Sequence, residues 1–146
     1  MTHIFHRFMV VLVLAASLVA TPSGAQQPAA TAGVNRLVVQ VSDGDAARWN
    51  MALNNIRNVQ SELGVANVDV VLVAYGPGIG MLKFDAVTAT RVSEAIKSGV
   101  KVLACENTLV ALKVSRSDMH SDIGYVAAGV VEIMKRQQQG YIYLRP

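Results

Sequence analysis

Cys105 is the only cysteine of the chain, and its setting gives it a route to chemistry. It closes the apolar run Val100-Lys101-Val102-Leu103-Ala104 and is followed at once by Glu106-Asn107-Thr108, where a strand hands over to a helix. In an open α/β sheet the strand-to-helix loops line the crevice where ligands bind, so a thiol at that junction faces reactants. The N–H groups that open the next helix favour a negative sulfur, which makes Cys105 a candidate nucleophile. Glu106 opposes this: a helix terminus contributes about 0.3 to 1 kcal/mol towards an anion, and an adjacent carboxylate cancels a comparable amount. Its alternative role is proton handling at the sulfur. His120 is a second candidate for that role, because a Cys-His pair is a common way to activate a thiol, although its polar surroundings favour exposure. The competing reading of Cys105 is structural, since free cysteine is among the most buried residue types.

Three further segments bear on the same site. The loop Gly76-Pro77-Gly78-Ile79-Gly80 follows a strand but fits neither the dinucleotide nor the P-loop spacing, because Met81-Leu82 follow its last glycine. It reads first as a tight turn whose glycines permit positive φ and close backbone approach. Its second reading is a backbone surface beside Cys105, in which Gly76, Gly78 and Gly80, with the N–H groups of Asn107 and Thr108, hold an anionic sulfur or its substrate. Asp43 and Asp45 precede a helix, so one of them is expected to cap it. They offer too few oxygens for a hard cation, and with one cysteine and His120 alone beyond residue 6 no tetrahedral zinc set can be assembled. No metal and no cofactor is expected.

These residues need a scaffold, and the pattern supplies one. Arg36 to Val41 reads as a buried strand, and Trp49, Ala52, Leu53, Ile56, Val59 and Leu63 recur at helical spacing over Ala46 to Leu63, with Gly64 as the stop. Val68 to Ala74 is a second strand, and Ala86 to Ser98 a second helix with Val87, Val92, Ala95 and Ile96 inward. The third strand ends at Cys105, and a short helix runs from Asn107 to Val114. A brief strand at Gly124 to Val126, a helix from Ala127 to Gln138 and a strand over Tyr141 to Leu144 complete the series. Strand and helix alternating in this way predict a three-layer α/β/α sandwich with a mainly parallel five-stranded sheet. Trp49 and the methionines of the domain sit at packing positions.

The first 25 residues read as an export signal: His3, His6 and Arg7 precede an apolar stretch from Phe8 to Ala20, and Ser23-Gly24-Ala25 suits cleavage before Gln26. About 13 apolar residues fall short of the roughly 20 that span a bilayer, so no stable membrane anchor is expected. Residues 26–35 read as a disordered leader and 36–146 as one domain. The formal charge of +3 is carried by scattered Lys and Arg, which gives no basic stripe for nucleic acid. Export places the chain in the periplasm, where exposed thiols are oxidised and a lone one is shielded, joined to another molecule, or used.

Four segments also resemble a known family. Trp49-Asn50-Met51-Ala52-Leu53-Asn54-Asn55 with Asn58, Val71-Leu72-Val73-Ala74-Tyr75-Gly76-Pro77-Gly78, Val102 to Leu109, and the ending Gln139-Gly140-Tyr141-Ile142-Tyr143-Leu144-Arg145-Pro146 are together similar to the DsrE/DsrF-like proteins. The resemblance covers about Arg36 to Pro146. It implies a homotrimer or homohexamer and a sulfur relay, in which a cysteine at the position of Cys105 carries sulfane sulfur as a persulfide between donor and acceptor thiols. The known relays are cytoplasmic and built from several different subunits, whereas this chain reads as exported. Two other readings remain open: a non-catalytic homo-oligomeric binding or assembly module with a structural cysteine, and a redox sensor that forms mixed disulfides.

Overall fold

The computed structural model describes residues 33–146. The export signal over 1–25 and residues 26–32 of the leader lie outside the described residues. Five strands alternate with four α-helices: β1 (Asn35–Val41), α1 (Ala46–Leu63), β2 (Val68–Ala74), α2 (Ala89–Lys97), β3 (Lys101–Cys105), α3 (Glu106–Leu112), β4 (Gly124–Val126), α4 (Gly129–Gln138) and β5 (Ile142–Leu144). The strands pair in the order β4-β3-β2-β1-β5, and every pairing is parallel. The sandwich expected from the alternation is therefore present, with a sheet that is wholly rather than mainly parallel.

The strand order decides which helices share a face. From β1 to β4 the chain steps in one direction across the sheet, and right-handed crossovers place α1, α2 and α3 together. The return from β4 to β5 runs the other way and puts α4 alone on the opposite face. Alternation along the strands matches: Val39, Val70, Leu72, Val102 and Ala104 pack with Leu53 and Ile56 of α1, Val92 of α2 and Leu109 of α3. Val38, Val71 and Val73 instead meet Ile133 of α4 and Tyr141, with Tyr75 and Leu103 alongside. Cys105, two residues beyond Leu103, belongs to the α4 face.

Local signals account for most element ends. Asp45 caps α1 by accepting from Ala47 N at 2.9 Å, and Gly64, at φ 85°, ends that helix. Asp43 is instead 3.4 Å from Arg145. Helix α2 starts at Ala89, not Ala86, and Val87 is 78% exposed instead of inward. The reason is Thr88: it is fully buried, and its hydroxyl donates to the Met81 carbonyl at 3.0 Å, which holds the preceding residues in turns. The glycine loop is a run of 3-10 turns over Gly76–Leu82 opened by Pro77. The last two helices also differ at their ends: α3 stops at Leu112 because Lys113 turns left-handed, and α4 starts at Gly129 rather than Ala127. Trp49 donates to the Asp43 carbonyl at 2.6 Å and lies against Gly80, the packing role expected of it.

At the N-terminal edge of the sheet, remote from Cys105, Tyr141 donates to Asp69 at 2.5 Å and Lys101 to the same carboxylate at 3.1 Å. Arg136 of α4, paired with Glu132 at 2.6 Å, donates to the Tyr141 hydroxyl, which ties α4 to the strand ends. Burial pushes the Asp69 carboxyl up, but the Tyr141 hydroxyl, Lys101 and Arg136 outweigh it and hold it below the usual carboxylate range. A carboxylate with a depressed folded pKa stabilises the protein above its unfolded value, and that contribution disappears as the pH falls through the folded value. Urea unfolding of Asp69→Asn against wild type should therefore show a stability deficit at neutral pH that closes as the pH drops below about 4. A deficit that persists unchanged at acid pH would contradict the pairing.

Candidate functional site at the strand-helix edge

Cys105 ends β3 and acts as the N-terminal flank of α3. It is 5% exposed, and polar groups lie beside its sulfur. Burial raises the thiol pKa, but the nearby Thr108 hydroxyl and the N–H groups of Gly129, Thr108 and Asn107 outweigh it, leaving the thiol more acidic than usual. As a neutral thiol, Sγ donates to the Ala127 carbonyl at 3.8 Å. One sulfur thus has an acceptor for its proton and several donors for its charge, which is how a thiol is poised to ionise.

The donors are held in place by neighbouring segments. Gly76 N donates to Thr108 Oγ1 at 3.0 Å, so that hydroxyl already has a donor and keeps its own proton for the sulfur. Asn107 N donates to the Ala127 carbonyl at 3.1 Å, pinning the start of α3 to the end of β4. On the other side α4 begins at Gly129, where a Cβ would lie 3.3 Å from Cys105 Cβ and 3.2 Å from Tyr75 Cβ. A hydrogen in place of a side chain is what allows the first turn of α4 to approach the thiol. The starts of two helices, α3 and α4, therefore meet at one thiol.

The expected site residues divide accordingly. Cys105, Asn107 and Thr108 lie together at the junction of β3 and α3, and Gly76 N holds the Thr108 hydroxyl. Gly78 packs against β1: its N–H donates to the Tyr75 carbonyl, and a Cβ on it would meet the backbone of Val41 and Ser42. Gly80 faces the Trp49 ring. Both belong to the packing reading of the loop. Glu106 forms an ion pair with Arg116, whose guanidinium stacks 4.4 Å over the Tyr125 ring, so its carboxylate is engaged away from proton handling and its charge is partly balanced.

His120 does not pair with Cys105. Its Nε2 lies 2.6 Å from Ser93 Oγ, and its Nδ1 accepts from Asp122 N at 3.2 Å. A ring nitrogen that accepts carries no proton, so Nε2 is the protonated one and donates to Ser93. That tautomer cannot take a proton from the serine, which removes a Ser-His nucleophile as well. Missing from the sequence reading were Gly129 and Ala127. The only local signal was a short strand followed by the small residues Ala127-Ala128-Gly129. Among the described residues no cluster of three or more His, Cys, Asp or Glu could hold a metal ion, and no helix is long and apolar enough to cross a membrane.

The fold is a wholly parallel α/β sandwich with Cys105 at the C-terminal edge of its sheet. The chain belongs to the family of the MTH1491 protein of Methanobacterium thermoautotrophicum, a protein of unknown function: the two are 33% identical over 77% of this chain and 99% of that one, with a TM-score of 0.73. The BT1422 protein of Bacteroides thetaiotaomicron, also of unknown function, matches at 14% identity over 77% of this chain and 95% of its own, with a TM-score of 0.63. The YchN protein of E. coli matches at 12% identity over 77% and 99%, with a TM-score of 0.61. At these identities the last two establish a shared fold alone. No protein-family model matches the chain, and no curated protein does.

Proposed function

We propose that this protein is an exported sulfur carrier of the DsrE/DsrF-like kind, which holds sulfane sulfur as a persulfide on Cys105 and passes it to a partner thiol. The observation that carries the reading is the place of Cys105 at the C-terminal end of β3, where the Gly129 turn of α4 and the Thr108 hydroxyl fixed by Gly76 meet the thiol and hold its pKa down. A thiolate attacks a sulfane sulfur, a new S–S bond forms to Sγ, and the donor's leaving group departs with the electron pair of the broken bond. The acceptor thiolate then attacks the outer sulfur and Cys105 leaves as a thiolate, so one cysteine suffices. The same N–H groups serve the thiolate and the anionic persulfide. Working in the periplasm as a homotrimer or homohexamer, the chain would receive sulfur from one thiol or protein and give it to another without a metal or an organic cofactor.

The 5% exposure of Cys105 favours a second reading, a homo-oligomeric binding or assembly module in which the thiol is a packing residue. Alkylation of the folded protein with iodoacetamide, followed by intact mass, separates the two. The carrier reading expects Cys105 to be labelled in the folded state. Labelling only after denaturation would favour the packing reading.

A further inference from the structure

Helices α1 and α2 line an open cleft of about 300 Å³ that has no part in the cysteine site. Its floor is apolar, built from Leu53, Ile56 and Ala95, and one wall is closed by Gln60 and Ser98. These two bond each other reciprocally: Gln60 Nε2 donates to the Ser98 carbonyl at 3.0 Å, and Ser98 Oγ donates to Gln60 Oε1 at 3.0 Å. The rim carries Arg57, Arg91 and Glu94, an excess of one positive charge. Cavities of this size fall at the small end of those that hold metabolites.

Arg91 is the informative residue. Its guanidinium is anchored across 37 residues by Asn54 Oδ1 at 2.7 Å, and on Asn50 by both the side-chain oxygen and, at 3.4 Å, the carbonyl. All three acceptors are neutral, so the group is fixed in place without a carboxylate at ion-pair distance. The three bonds fall on Nη1 and Nη2, which leaves Nε–H and one Nη2–H without an acceptor among the described residues, donors that a carboxylate can take. Among the described residues neither Arg57 nor Arg91 forms an ion pair, with Glu94 or with any other carboxylate. Asn50 and Asn54, two of the asparagines in the first-helix segment noted above, thus act as positioning residues for a cation at a cavity mouth.

We infer that the α1–α2 cavity binds a small organic acid, with its carboxylate on Arg91 and Arg57 and its hydrocarbon part on Leu53, Ile56 and Ala95. A fixed, unpaired guanidinium beside an apolar floor matches a molecule that has both a charged head and an apolar body. Inorganic phosphate satisfies the first feature only, and an alcohol of equal length the second only. Binding there does not involve the thiol, so it stands or falls apart from the carrier reading.

The probe is hexanoate, titrated into the full domain and followed by amide chemical shifts, with hexan-1-ol and inorganic phosphate as parallel arms. Saturable shifts confined to α1 and α2 are expected with hexanoate, at an affinity about tenfold or more above that of either comparison compound. Arg91→Gln should weaken hexanoate by about tenfold, and the exposed substitution Asn54→Ala should weaken it several-fold by releasing Arg91. Cys105→Ser should bind as wild type. Non-saturable shifts overturn the inference, as do equal affinities for hexanoate and hexan-1-ol, equal affinities for hexanoate and phosphate, or binding indifferent to both Arg91→Gln and Asn54→Ala.

Discussion

Incubated with thiosulfate or polysulfide, the folded protein gains about 32 Da, one sulfur atom, and Cys105→Ser gains none. With thiosulfate the balance is explicit: Sγ takes the outer sulfur, the S–S bond of the donor breaks, and sulfite leaves with the electron pair. The effect is all or none because the chain has no other thiol to accept sulfur. The added mass should be lost on treatment with a small thiol, since a thiolate attacks the outer sulfur and releases Cys105. Intact-mass spectrometry reads each step. A wild-type protein that stays unmodified with every sulfane donor would end the carrier reading, and an addition that survives Cys105→Ser would move it to another residue.

Gly78→Ala should lower stability by about 3 kcal/mol, the upper part of the range for overpacking. The added Cβ would fall 2.3 Å from the Val41 carbonyl oxygen, 2.6 Å from its carbon and 2.9 Å from Ser42 N. All three are backbone atoms at the end of β1, where Val41 also accepts from Tyr75 N at 3.1 Å, so relief requires moving an inner strand. Gly80→Ala is the control. Its Cβ would meet only the rim of the Trp49 ring at 3.0 to 3.2 Å, and a side chain can give way where a strand cannot. Urea unfolding should therefore separate the two, with Gly80→Ala costing about 1 kcal/mol. Equal costs would show that the loop relaxes away from β1.

The fold was largely legible because the signals that fix it are local. Buried β-branched runs, helical spacing in α1, Asp45 before it and Gly64 after it each depend on a few neighbouring residues. Val87 misled for a physical reason: its apolar side chain fits the helical period, but buried Thr88 bonds to Met81 and delays α2. The position of Cys105 was legible because an apolar run ends there abruptly. Its surroundings were not. Gly129 reaches the thiol only because β4 lies next to β3 and α4 crosses to the opposite face, facts of strand order that no residue pattern carries. The same holds for His120, whose partner Ser93 is 27 residues away, and for Arg91 on Asn50 and Asn54. The second reading of the glycine loop failed because Gly78 and Gly80 approach β1 and Trp49 instead of the sulfur.

Every functional step attributed to Cys105 rests on a sulfur that ionises readily and can be reached. The pH dependence of the alkylation rate of the folded protein measures both properties together. The account expects a rate midpoint below the ordinary thiol value of about 8.5, and an upward shift in Thr108→Val, where the side-chain donor is gone. A midpoint at or above that of free cysteine, or no reaction until the chain unfolds, would contradict it.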